Sequence, residues 1–285
     1  MGLFKKKKKE KEEPYIASPL NTPMPNYAVY VMGKTEKLLV SLVAFVVGGL
    51  AGLIFYGGLF KLEGATTTAT HISNVAFFMV VGIIAVKFFV PIYVKSRKEK
   101  RDKTLRVQFR DMLESLSSSF SSGSNVQKSF ESAFEDLKMQ YNDTDYIIIE
   151  MQEIINGVSQ NIQVEVMIKD FGERSGNEDI VSFADVFEIC FRKGGNMKTV
   201  IQRTQNIISG KMAVEDEIAT KLTSNKMQHN MMSVMPIVIV ALLKLTNEAF
   251  SANFATPVGV LVNTIAIGIF LAAYKYGTKI VDIKG

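Results

Sequence analysis

LLVSLVAFVVGGLAGLIFYGGLF, residues 38–60, carries no Asp, Glu, Lys, Arg or His along its whole length. At about 1.5 Å of rise per helical residue, this run is long enough for the roughly 30 Å of hydrocarbon in a bilayer. A second stretch, Ile72 to Val94, follows closely, and two more, Met231 to Leu245 and Val258 to Tyr276, lie beyond a long polar block. The layout predicts an all-α membrane protein with four transmembrane helices, paired as hairpins, and a cytoplasmic helical bundle between them. The expected boundaries are a basic, proline-spaced arm at 1–37, a first hairpin at 38–95, a bundle of about six helices at 96–230, a second hairpin at 231–276 and a tail at 277–285.

Charge sets the expected orientation, because Lys and Arg are retained on the cytoplasmic side. They crowd at Lys5 to Lys9, Lys11, Lys34 and Lys37, again from Lys95 to Lys103, and at Lys275, Lys279 and Lys284. The connectors within each hairpin hold only Lys61 in the first and none in 247–257. Both termini and the bundle are therefore expected in the cytoplasm. The net charge of +5 on 285 residues reads as topology and attraction to anionic lipid, not nucleic-acid binding, since no basic stripe interleaves with aromatics. Lys5, Lys6, Lys7, Lys8, Lys9, Lys98, Lys100 and Arg101 are the candidate membrane-surface contacts.

The first residues do not read as a signal peptide, because Glu10, Glu12, Glu13 and Pro14, Pro19, Pro23 and Pro25 separate the lysines from Leu38. They also lack the Ser or Thr of a myristoylation site. Residues up to about 30 are expected to form a disordered arm, lying on acidic headgroups or merely solubilising.

The spans are poor in ionisable residues. Lys87 is close enough to the basic flank to snorkel. The third span is expected to continue past Lys244 toward Phe250, placing Lys244 and Glu248 four apart for an interfacial ion pair. Asn263 and Thr264 are candidates for interhelical hydrogen bonds, and Gly48 with Gly52 allows close helix approach.

Between the hairpins, Leu105, Phe109, Met112, Leu113, Leu116 and Phe120 form one apolar helix face ended by Ser121-Ser122-Gly123, and a Ser124/Gln127 capping box opens the next helix. A third is expected from an Asp143 or Thr144 cap to Gly157. Ile162 to Phe171 fits either period and reads as helix for want of a partner strand. Asn177 caps a helix with Glu178 and Asp179 in its first turn, ended by Gly194-Gly195. A long helix from Asn196 to Asn230 follows without a strong breaker.

No catalytic constellation is visible: there is no phosphate loop, no H-E-x-x-H, and only His71 and His229 as histidines. Cys190, the only cysteine, reads as a small buried hydrophobe. The acids Glu131, Glu135, Asp136, Glu150, Glu153, Glu215, Asp216 and Glu217 read as solvated helix faces. No enzymatic activity, cofactor or metal is expected.

The order Phe109-x-x-x-Leu113-x-x-Leu116, Ser122-Gly123-Ser124-Asn125-Val126, Ser129-Phe130, Gly157, Phe171-Gly172-Glu173-Arg174, Asp179-Ile180-x-x-Phe183-Ala184, Gly194-Gly195 and Pro236 resembles the type II secretion F family of inner-membrane platform proteins. With a single copy of the domain and an added hairpin in front, the chain looks like the tight-adherence (Tad) pilus branch. The resemblance implies Gly123, Gly157, Phe171, Phe183, Gly194, Gly195 and Pro236 as structural motif residues. As partners it implies a hexameric secretion ATPase, pilin subunits, and a paralogous platform protein or a second copy of the chain. A multi-pass transporter or channel subunit with a cytoplasmic regulatory domain is the alternative.

Overall fold

A computed structural model describes residues 13–59 and 67–281 of the chain. Lys5 to Lys9, Lys61 and Lys284 lie outside the described residues. In chain order these form β1 (Tyr15–Ala17), β2 (Pro23–Pro25), α1 (Lys34–Tyr56), α2 (Thr68–Ser121), α3 (Val126–Lys138), α4 (Tyr146–Ser159), α5 (Val164–Ser175), α6 (Glu178–Arg192), α7 (Met197–Thr246), α8 (Glu248–Phe254) and α9 (Pro257–Val281). The fold is all-α apart from one small strand pair. Contacts divide it into two units, Met1–Val31 with Val94–Ala213, and Met32–Tyr93 with Val214–Gly285.

The first unit is built by helical period. Leu105, Phe109, Met112, Leu113 and Leu116 are spaced to lie on one side of α2, and each is buried. Onto them pack Phe130 and Leu137 of α3, Ile147 and Met151 of α4, Phe171 of α5, Phe183 and Phe187 of α6, and Ile201 and Ile208 of α7. Aromatic rings link the layers edge to face, with centroids 5.4 Å apart for Phe109–Phe183 and 6.2 Å for Phe130–Phe187. The segment at 162–171 is helical from Val164 onward, because its apolar residues Val164, Met167, Ile168 and Phe171 recur every three or four positions and all are buried.

Several local expectations change. α3 is capped by Asn125, whose side chain accepts from Lys128 N, and not by a Ser124 box. α4 starts after Asp145, which also accepts from Asn142 N at 2.8 Å, rather than after Asp143 or Thr144. α2 carries the second apolar stretch and the Leu105 to Leu116 face in one helix with Pro91 inside it.

The largest difference is at 13–31, expected to be disordered. β1 and β2 pair antiparallel, with Tyr15 opposite Pro25, Ile16 opposite Met24 and Ala17 opposite Pro23. Asn26 N donates to Pro14 O at 2.9 Å, so the hydrogen-bonded rungs are 26/14 and 24/16, and both prolines fall where a missing N–H costs the ladder nothing.

In the second unit, α1, α2, α7 and α9 each contain a stretch long and apolar enough to cross a membrane. Their outer faces expose Leu38, Val47, Ile72, Phe88, Val258 and Ile269, an apolar surface that a water-soluble protein rarely leaves open and that suits a membrane protein. α1 meets α2 through Gly48 and Gly52, where a methyl at Gly52 would come within 3.0 Å of Phe77 O and Val81 Cβ. α9 is tied to α1 by Asn263 Nδ2 donating to Phe55 O at 2.7 Å and by Thr264 Oγ1 beside Tyr56 Oη at 3.1 Å. These are the interhelical bonds expected of Asn263 and Thr264.

The third span does not run on to Phe250. α7 ends at Thr246, and Asn247 turns out of the helix and caps α8 by accepting from Phe250 N at 3.0 Å. Lys244 and Glu248 thus sit on different helices, and Lys244 Nζ donates to the carbonyls of Ile54 at 2.8 Å and Gly57 at 3.1 Å.

Candidate functional site

A densely hydrogen-bonded polar site lies where 13–31 meets α4 and α5. Arg174, in the last turn of α5, is 2% exposed and Glu150, in α4, is 0% exposed. Nη1 and Nη2 of Arg174 reach the two oxygens of Glu150 at 2.7 Å each, and Nε reaches Asp170 Oδ2 at 2.7 Å. Nη1 also donates to Pro25 O at 3.2 Å, while Arg174 O accepts from Tyr27 N at 2.9 Å. Tyr27, buried at 3% exposure, donates its hydroxyl to Glu150 Oε1 at 2.9 Å. A planar fork matched to a carboxylate is the geometry in which a buried ion pair recovers most of its desolvation cost.

A second anchor is Glu153, which accepts from Ser18 Oγ at 2.6 Å and from Thr22 Oγ1. A third is Arg101 of α2, which donates to the carbonyls of Asn26 and Val29 and lies 5.2 Å above the Tyr27 ring. Gly176, at φ +63°, ends α5 beside this segment, where a Cβ would stand 2.7 Å from Ala28 Cβ, so both backbone and space require glycine.

Burial drives the proton affinities here. It pushes the Glu150 carboxyl up, against the pull of Arg174 and Tyr27. It raises Asp170 likewise, with Arg174 opposing. For Arg174 burial pulls downward, but Glu150 and Asp170 outweigh it and hold the guanidinium charged. Burial, and then the charge of Glu150, push the Tyr27 phenol far above its usual value.

Glu150 and Glu153 are thus not solvated acids. The signal was available in the spacing, since Ile147, Glu150, Met151 and Ile154 share one helical face. Tyr27 carried no such local signal.

Of the motif residues, Phe171 and Phe183 are core, each 1% exposed. Gly123 and Gly194 take positive φ at the ends of α2 and α6, and Gly195 N donates to Cys190 O at 2.8 Å. Gly157, the expected end of the helix, lies inside α4, which runs to Ser159, and an added Cβ would meet Met167 Sδ at 2.5 Å, so it sets how closely α5 approaches. Pro236 lies within α7 and lines an apolar cleft of about 680 Å³ with Phe55, Val240, Phe254 and Asn263. Lys98 and Lys100 are exposed, whereas Arg101 is turned onto the docked segment. The structure thus gathers Phe171 and Phe183 into one core and leaves the remaining motif residues at separate helix ends and packing points.

A smaller groove of about 270 Å³ opens between α3, α4 and the start of α5, lined by Val126, Phe130, Ile155, Val158, Ile162 and Phe191, with Glu165 in its wall. Among the described residues no group of three or more His, Cys, Asp or Glu is placed to hold a metal ion.

No family model, no curated protein and no solved structure matches the chain. The functional reading therefore rests on the chain's own residues and geometry.

Proposed function

We propose that the chain is a non-enzymatic inner-membrane platform protein of a type IV filament machine of the tight-adherence kind, or of a type II secretion machine. In this reading it couples a cytoplasmic secretion ATPase to pilin assembly. The observation that carries it is the pair of helices α2 and α7, which run unbroken from apolar, membrane-length stretches into a helical unit, over 54 and 50 residues. The order of motifs from Phe109 through Phe171, Phe183 and Gly194-Gly195 adds to it, as does the crowding of Lys and Arg beside the spans, which favours a cytoplasmic helical unit with both ends of the chain on the same side. Displacement of a bound ATPase is carried along these helices to the spans, where a pilin leaves the bilayer. Such a role needs rigid elements and docking surfaces rather than a reactive group.

The test is isolation of the tagged full-length protein from its native membrane in mild detergent, after light crosslinking, with mass spectrometry of what accompanies it. A hexameric secretion ATPase, a pilin and a second platform protein are the expected companions. A preparation that brings none of them overturns the reading.

A further inference from the structure

We propose that the groove between α3, α4 and α5 is a docking site for a segment of this same chain, Leu3-Phe4 with the lysines that follow. Glu165 is 4% exposed, and its Oε2 has no hydrogen-bond partner among the described residues. Arg192 Nε approaches the other oxygen, Oε1, and only to 3.6 Å. A buried carboxylate oxygen left without a donor is costly, and an ammonium arriving from outside removes that cost. The groove is lined mainly by apolar side chains, with Gln127 and Gln163 among them, and its charged side chains, Glu131 and Glu165, are both acidic. The fitting occupant is therefore an apolar side chain next to a cation.

Met1-Gly2-Leu3-Phe4-Lys5-Lys6-Lys7-Lys8-Lys9 has that chemistry, with two large apolar residues directly before five lysines. The tether allows it. The 13–31 segment already lies along α5: Tyr27 bonds Arg174 O near its end, and Pro19 borders the pocket that contains Glu165 and Lys169 near its start. From Arg174 back to Glu165 is about 14 Å at helical rise. The residues between Phe4 and Glu13 reach about 30 Å when extended, enough to bring Phe4 back to the groove. Tethering also gives the segment an effective concentration of order millimolar, so even a weak site is filled.

The experiment uses the full-length protein in neutral detergent with Cys190→Ala, and pairs Phe4→Cys with either Gln127→Cys at the groove or Met139→Cys as a control. Gln127 and Met139 are both exposed, and they lie about 18 Å apart along α3. Under mild oxidation the groove pair should form its intramolecular disulfide about tenfold faster than the control, the ratio expected where docking raises local concentration over free tethering. Glu165→Gln, and separately serine at 5–9, should each reduce that preference. Equal rates at the two positions overturn the proposal. So do disulfides found only between chains, or a groove preference indifferent to both Glu165→Gln and the loss of the lysines. Protection of residues 3–9 from protease that appears only on adding anionic vesicles assigns the lysines to lipid instead, and also overturns it. None of these outcomes depends on the platform reading.

Discussion

At the scale of single residues, the Glu150–Arg174 pair governs most. Removing either partner leaves a charge in a dry site, so Glu150→Ala and Arg174→Ala should each destabilise the first unit by about 3–5 kcal/mol, read as a fall in the thermal midpoint by circular dichroism in detergent. Replacing both with Met should cost clearly less than the sum of the two, and an additive double variant would remove the claim that they act as a pair. Gly157→Val should destabilise by about 1–3 kcal/mol, because α4 and α5 must separate to admit the side chain against Met167. How much of this was legible differs residue by residue. Asn177, Phe171 and Phe183 announce themselves through capping chemistry and period. Glu150 was placed on the apolar face by its spacing, yet the habit of carboxylates argued for solvent. Tyr27 was unreadable, since its partner Glu150 lies 123 positions away and no local pattern encodes such a meeting.

Among the elements, α6 was the plainest. Asn177 Oδ1 accepts from Asp179 N at 3.0 Å and Ile180 N at 3.4 Å, and Nδ2 donates to Asp102 at 2.9 Å. Asn177→Ala should therefore cost about 1 kcal/mol for the cap alone, with the loss of the Asp102 bond added to it. Between α5 and α6, Lys169 Nζ lies 3.0 Å from Glu188 Oε2, and that hydrogen bond holds the carboxyl below its usual range. A depressed carboxyl stabilises above its unfolded value and loses that contribution as pH falls through its folded value, so this tie weakens in acid. A carbon-detected NMR titration should show Glu188 titrating low in the native protein and moving up in Lys169→Met; an unmoved midpoint would show that Lys169 is not the cause. The β1–β2 hairpin was hidden because Pro23 and Pro25 argue against a strand. Their two-residue spacing puts both on rungs that need no donor, a detail visible only once register is known.

For the whole molecule, hydropathy spoke clearly, and helices of membrane length stand where the apolar stretches predicted them. Hydropathy did not reveal where the third helix ends, because 243–250 holds no Pro or Gly to mark a break, and it is Asn247 that turns the chain and caps α8. If the two-hairpin topology holds, Lys98→Cys and Thr278→Cys in a Cys190→Ala background should resist an impermeant thiol reagent added to intact cells, while Ser251→Cys in α8 reacts. Reaction of Lys98→Cys and Ser251→Cys from the same side would exclude that topology. The two long helices also share a feature whose effect is mechanical. Pro91 in α2 and Pro236 in α7 supply no N–H, so the carbonyls of Lys87 and Met232 lose their donor one turn earlier. Each helix is therefore weakest at that turn, and a load along it is taken up first as a bend there rather than as shear elsewhere.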